Sequence, residues 1–404
     1  MVRIKIGILR ETKTPPDRRV AVTPAIAAEI ITNYANVEIV VQPSQNRCFN
    51  DDEFAAAGVP LQEDLSDCDW LIGVKEVSIS TLLEGKKYMF FAHVAKKQAY
   101  NQKLLKEIVR KKITLVDYEY LKDERNLRLI AFGRWAGIVG AYNGILAWGL
   151  KTGLYSLKPA HLCHDRAEME GYLQQLSVGK LRIVVTGGGR VAMGAMESLG
   201  KLGIPILSAE DYLAHPDQSP AICRIDPCHY VCHKNGDAFE FNHFCNNPLD
   251  YRSCFSRFSA STDVLFAAHF WDPASPKLWE PDEMRSVDFK IRMIADISCD
   301  INGSVPSTIR ATTIADPFYD WDRTNWCELP PFSLPDNVTV MSIDNLPGEL
   351  PRDASEEFSK VLAEKVFPCI LGDDSGHVVD RATITCDGHL NDHFLYLDSF
   401  LKGG

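Results

Sequence analysis

Lys75 closes one apolar run (WLIGVK) and His93 closes another (YMFFAH). In an open parallel sheet the C-terminal strand ends face the ligand crevice, so two ionisable groups on neighbouring strand ends can share one site. A lysine lowered in pKa by burial or by a nearby cation, with a histidine titrating near neutrality, suits proton transfer at a carbinolamine or imine. The competing reading is a lysine at a solvated strand exit and a structural histidine. Arg18 and Arg19 stand in PPDRRVAVTP, directly before a helix start. Arginines hold carboxylates in bidentate geometry, although exposed loop arginines are common. Glu119 and Arg128 flank a third strand end and suit similar work.

A second group of residues suits a different task. Leu181 to Gly203 reads as strand, glycine turn and helix, with Gly187, Gly189 and Gly194 spaced G-x-G-x-x-x-x-G. This is looser than the dinucleotide fingerprint G-x-G-x-x-G. Glycines there permit the tight turn and let backbone N–H groups approach a pyrophosphate at a helix N-terminus. A second strand candidate, IPILSAE, ends near Glu210, an acid able to accept adenosine ribose hydroxyls and favour NAD. Arg190, beside the glycines, suits a 2′-phosphate or stacking on adenine, which leaves NAD or NADP open. The alternative is a doubly wound domain with an unoccupied loop.

The elements that must position these residues alternate strand with helix, the pattern of an α/β layer with a parallel sheet. IKIGIL, VEIVVQP, WLIGVKE, KYMFFAHV and ITLVDYEYL are strand candidates, with helices from Thr23-Pro24 and over KKQAYNQKLLKEIVRKK between them. GRWAGIVGAYNGILAWGLK predicts a buried helix linking two domains. A second α/β pattern follows through DVLFAAHFW, KIRMIADIS and VTVMSIDNLP. At 404 residues, two domains are expected. The net charge of −11 argues against a nucleic-acid partner. No apolar stretch is long enough to cross a bilayer, and the charged start MVRIKIGILRETK fits a first strand rather than a signal peptide. Twelve irregularly spaced cysteines then read as reduced, mostly buried thiols of a cytoplasmic protein.

RETKTPPDRRVAVTP, GVKE, FFAH, AFGRWAGIVG, ADISCDINGS and SIDNLPGELPRDAS, in this order along nearly the whole chain, resemble the alanine dehydrogenase, transhydrogenase and saccharopine dehydrogenase superfamily. Within it, the likeness is to lysine–ketoglutarate reductase, the reductase half of bifunctional aminoadipate-semialdehyde synthase. The resemblance implies two doubly wound Rossmann-like domains with a cleft between them. The first, residues 1–135 with 350–404, is discontinuous and holds substrate; the second, residues 136–349, binds the dinucleotide. It implies Lys75 and His93 as the proton-transfer pair and Arg19 as a substrate-carboxylate anchor. Glu76, Glu119, Arg128 and Asp344 are implied as groups that tune the pair or hold substrate. Asp296, Ser298, Asp344 and Leu346 are implied beside the nicotinamide. The implied reaction condenses L-lysine with 2-oxoglutarate and reduces the imine to saccharopine, with a saccharopine-cleaving dehydrogenase expected as a separate protein. Oxidative deamination of a small amino acid, as in alanine dehydrogenase, is the alternative, and a non-catalytic protein that kept the fold is a third.

Residues 221–259 read as a Cys/His-rich insertion, with Cys223, Cys228, His229, Cys232, His233, His243 and Cys245. They lack the compact ligand pairs of a structural zinc site, and no metal is expected.

Overall fold

The computed structural model describes residues 3–403. Unit one runs to Phe132 and resumes at Pro351, and unit two is Gly133–Leu350; sequence places these boundaries at 135/136 and 349/350. The strands are β1 (Ile4–Ile8), β2 (Val37–Val41), β3 (Trp70–Ile72), β4 (Lys87–Phe90), β5 (Thr114–Asp117), β6 (Arg182–Thr186), β7 (Ile206–Leu207), β8 (Ala221–Ile225) and β9 (Val231–His233). They continue with β10 (Tyr251–Ser253), β11 (Val264–Ala267), β12 (Met293–Asp296), β13 (Tyr319–Asp322), β14 (Cys327–Leu329), β15 (Val338–Met341), β16 (Thr383–Cys386) and β17 (His389–Leu390).

Unit one is a seven-stranded sheet in the order β17-β16-β5-β4-β3-β1-β2, with β1 to β5 parallel and the last two strands antiparallel. Its strands are apolar on both faces because both are covered. Along β4, Tyr88 and Phe90 share a core with Leu105 and Ile108 of the helix Gln102–Arg110. The intervening Met89 shares another with Phe358 and Leu362 of the helix Pro351–Lys365, so the C-terminal segment completes this unit. Thr23 precedes the helix Pro24–Asn33 but does not cap it through its side chain. Its N–H instead donates to Ser359 Oγ at 2.9 Å, tying the first helix of the unit to the returning one.

Unit two is an eight-stranded sheet in the order β14-β13-β15-β12-β11-β6-β8-β7, antiparallel only at β13 and β14. The buried helix Gly133–Thr152 belongs to this unit. It meets the helix Arg190–Leu199 at glycines, since a Cβ on Gly137 would stand 1.9 Å from Val191 O and one on Gly194 2.1 Å from Arg134 O.

Two sequence expectations change here. Residues 221–225 are not insertion but β8, a core strand paired with β6 over its whole length. The divergent part follows it, as the hairpin of β9 and β10 with the helix Phe241–Asn246 between them. The cysteines are not all reduced thiols: Cys232 and Cys254 form a disulfide joining the two arms of that hairpin, and Cys228, Cys245, Cys327 and Cys386 are exposed. No helix among the described residues is long and apolar enough to cross a membrane.

Candidate active site

In unit one β1, β3, β4 and β5 lie side by side and in parallel, so the chain leaves each at the same edge. Past β1 comes Glu11, past β3 Lys75 and Glu76, past β4 His93, and past β5 Glu119. Glu11 accepts the backbone N–H groups of Val74 at 2.6 Å and Lys75 at 2.9 Å, so the exit of one strand fixes the turn leaving the next. Burial pushes its carboxyl up to about 7, against those two donors. Asp117 does the same for β4, accepting from the N–H of Ala92 at 3.2 Å and His93 at 3.0 Å, and from Glu119 N at 2.9 Å. Burial raises Asp117 to about 6. These bonds hold His93 at φ 54°, a left-handed conformation that side chains other than glycine seldom adopt.

His93 Nδ1 lies 2.8 Å from Glu76 Oε1. Burial pushes Glu76 upward, but the hydrogen bond to His93 and the Lys13 ammonium at 3.4 Å outweigh it and hold the carboxyl at about 2. An ionised Glu76 calls for a protonated Nδ1, which leaves Nε2 as the nitrogen that exchanges protons. The Lys75 ammonium is held below the ordinary lysine range, by burial first and by the charge of Arg19 second.

Arg19 is placed otherwise than its expected role as an open carboxylate anchor. Its side chain is buried and pairs with Asp17 in bidentate fashion, Nε to Oδ1 at 3.0 Å and Nη2 to Oδ2 at 2.6 Å, and its guanidinium lies 4.2 Å over the Phe132 ring. Burial opposes ionisation of Asp17, but the Arg19 charge prevails and holds it well below the carboxylate range. Glu119 stands between Lys96 at 3.1 Å and Arg128 at 3.7 Å, and its Oε2 is buried with no hydrogen-bond partner among the described residues. Sequence reading passed over Glu11, Asp17 and Asp117. Two of them sit at ends of apolar runs, the signal that singled out Lys75 and His93.

Unit two holds a cavity of ≈ 770 Å³ over the glycine loop. Gly187, Gly189, Arg190 and Ser298 line it, as do Gly188, Asp226, His269 and Asp300, which sequence reading did not select. Gly187 sits at φ 99°, and a Cβ there would meet Ala268 O at 2.9 Å, whereas a Cβ on Gly189 would meet only open space. The loop is therefore closed against the protein on one side and open toward the cavity on the other. Gly194 is absent from the lining because it serves helix packing. Glu210 is absent too: it follows β7, the edge strand, whereas the neighbour of β6 is β8. The acid just beyond β8 is Asp226, whose Oδ1 would lie 2.6 Å from a Cβ on Gly188 and which pairs with Arg224 Nη1 at 2.6 Å.

Asp296, Leu346 and Asp344 also lie outside the lining. Asp296 is fully buried and accepts from Ser298 Oγ and Thr308 Oγ1, each at 2.6 Å; burial raises its carboxyl to about 6. It thus shapes the loop that carries Ser298. Leu346 is core, packed near Gly140, and Asp344 is exposed beyond β15.

His269 supplies an orphaned polar atom on the cavity wall. Its Nε2 is buried with no partner among the described residues, and burial lowers its pKa to about 4, so the ring is neutral. Thr186 Oγ1 accepts from Ala268 N at 3.2 Å and lies 2.6 Å from His269 Nδ1, against 3.4 Å from Phe266 O. The hydroxyl proton therefore goes to Nδ1, and Nε2 carries the imidazole proton toward an acceptor in the cavity. An open glycine cradle, a helix N-terminus, an acid beyond the neighbouring strand and a buried unsatisfied donor together fit a dinucleotide.

These two units have the architecture of the alanine dehydrogenase and transhydrogenase class. A solved structure of L-alanine dehydrogenase matches over 99% of this chain and 99% of its own at a TM-score of 0.66, with 16% identity. Residues 7–139 match the family described as alanine dehydrogenase/PNT, N-terminal domain, and the chain belongs to that family. Among curated proteins it is similar to the saccharopine dehydrogenase [NAD(+), L-lysine-forming] of Yarrowia lipolytica, 25% identical over 96% of this chain and 98% of that one. It is also similar to the mitochondrial alpha-aminoadipic semialdehyde synthase of Rattus norvegicus, 30% identical over 89% of this chain and 44% of the synthase. The chain thus spans less than half the length of that relative.

Proposed function

We propose that this protein is an NAD-dependent oxidoreductase that joins L-lysine to 2-oxoglutarate as saccharopine, or runs the reverse. The observation that carries this reading is the set of acid–base groups on adjacent strand ends: a lysine with lowered pKa beside a histidine oriented by an ionised glutamate. The names of the saccharopine dehydrogenase and semialdehyde synthase relatives support the substrates.

When bound, the reduced cofactor supplies a hydride to the imine carbon; Gly187, Gly189, His269 and Asp226 would hold it. The rest belongs to the side chains. Lys75 accepts the proton that the substrate amine loses as it attacks the keto carbon. His93, through Nε2, gives a proton to the carbinolamine oxygen, which leaves as water, and Glu76 stabilises the imidazolium form. Arg128 and Lys96 supply positive charge for substrate carboxylates, and the unsatisfied Oε2 of Glu119 accepts from a substrate ammonium. Asp226 favours NAD, because its carboxylate accepts ribose hydroxyls and repels a 2′-phosphate.

The test is cofactor oxidation by the purified protein with lysine, 2-oxoglutarate and NADH. Turnover should vanish when either substrate is omitted. Turnover with pyruvate and ammonia instead would point to a small-substrate amino acid dehydrogenase, and cofactor binding without turnover on any keto acid would refute the catalytic reading.

A further inference from the structure

The hairpin and helix that follow β8 hold a side-chain cluster with no part in the reaction above. One ligand atom each from His233, His243 and Asp250 lie within 4.8 Å of one another. His233 ends β9 and pairs with Tyr251 at the start of β10, so the register brings Asp250 alongside it. His243 arrives from the helix Phe241–Asn246, its ring centroid 5.7 Å from that of His233. Both rings are already oriented through Nδ1. That of His233 lies 3.2 Å from the Asp237 carboxylate, and that of His243 lies 3.1 Å from the Tyr251 hydroxyl. A carboxylate or hydroxyl behind the imidazole is the usual outer support of a metal-binding histidine.

Nε2 of His243 faces Asp250 Oδ2 at 3.9 Å, beyond hydrogen-bond reach. Two ligand atoms about 2.1 Å from one tetrahedral ion stand roughly 3.4 Å apart, so a small closure would complete the site. Two imidazoles and one carboxylate suit zinc and its neighbours rather than calcium or magnesium. The geometry points to a divalent transition-metal site formed by His233, His243 and Asp250, with solvent as the remaining ligand. This reverses the expectation of no metal, which rested on spacing along the chain; the hairpin brings together residues that spacing keeps apart. Phe241 and Phe244, on the helix that carries His243, line the cavity over the glycine loop. The ion therefore clamps one wall of that cavity to the hairpin. The clamp rests on the dinucleotide reading, whereas metal binding does not.

The full chain, stripped with a chelator, is titrated with Zn²⁺ by calorimetry and with Co²⁺ by visible absorption. One ion per chain is expected, with intense tetrahedral Co²⁺ bands. His233→Gln and His243→Gln should each weaken binding by at least about tenfold, a loss seen even for outer-shell partners. Asp250→Asn, a change at an exposed position, should do the same and guards against misfolding of the histidine variants. Replacing the exposed thiols, Cys228→Ser with Cys245→Ser, should leave binding unchanged. No stoichiometric ion would overturn the proposal, and so would an ion lost by the cysteine variant and kept by the histidine variants. NADH affinity measured with and without Zn²⁺ reads the clamp separately: equal values overturn the clamp, and no NADH binding in either state counts against the dinucleotide reading instead.

Discussion

Lys75 illustrates how a residue acquires chemistry from neighbours that sequence does not place beside it. Its ammonium is disfavoured by burial and then by Arg19, which is itself kept charged by Asp17. Lys75 works as a base only when neutral. Removing the Arg19 cation, which also leaves Asp17 unpaired, lets the Lys75 pKa rise, so the neutral fraction near pH 7 falls. Arg19→Gln should therefore move the acidic limb of the kcat–pH profile to higher pH. A limb that stays in place would show that Lys75 is not the titrating base. Asp226 invites a test of the same kind. Asp226→Ser removes a like charge from beside a 2′-phosphate and releases Arg224 to meet it. Because like-charge juxtaposition costs of order a kcal/mol or more, the preference for NADH over NADPH should fall by at least about tenfold, measured as a ratio of Kd values. Glu210→Ser, at the edge strand, should leave that ratio alone.

The elements explain what was legible in the sequence. β6, β11, β12 and β15 stand out as apolar runs bounded by polar residues, and the lysine and histidine at ends of such runs are placed by the same pattern. β8 was not legible, because AICRI carries an arginine and opens a stretch rich in cysteine and histidine. Strand order was not legible either. β7 precedes β8 in the chain yet lies outside it, so the ribose acid was sought two elements too early, at Glu210 instead of Asp226. Long-range pairing is invisible to local pattern, and the Asp17–Arg19 pair shows that even a two-residue spacing leaves open whether an arginine faces substrate or the core. Gly194 was legible as a glycine that matters, though not for the right reason. Gly194→Ala would drive a methyl against Arg134 O, and overpacking of this kind costs ~1–3 kcal/mol. Urea unfolding should show that loss, with dinucleotide Kd unchanged in the folded fraction.

At the scale of the whole molecule, the two jobs fall to two units with separate cores. Every residue that lines the cavity over the glycine loop belongs to unit two, and Lys75, Glu76, His93, Glu119 and Arg128 all belong to unit one. A chain of net charge −11 that must hold several substrate carboxylates also needs its cations concentrated, and Lys13, Lys96, Arg19 and Arg128 are all in unit one. Binding of cofactor and proton transfer to substrate should then respond independently to mutation. Lys75→Met and His93→Gln each remove a proton-transfer group without touching the cavity lining, so kcat should fall by ~10²–10⁴, the range general acid–base catalysis supplies. NADH Kd, read by fluorescence titration, should stay within about twofold, because electrostatic effects beyond a Debye length of roughly 8–10 Å are screened in ordinary buffer. A large loss of NADH affinity in either variant would mean that the two jobs are not divided in this way, and an unchanged kcat would remove that residue from the proton-transfer pair.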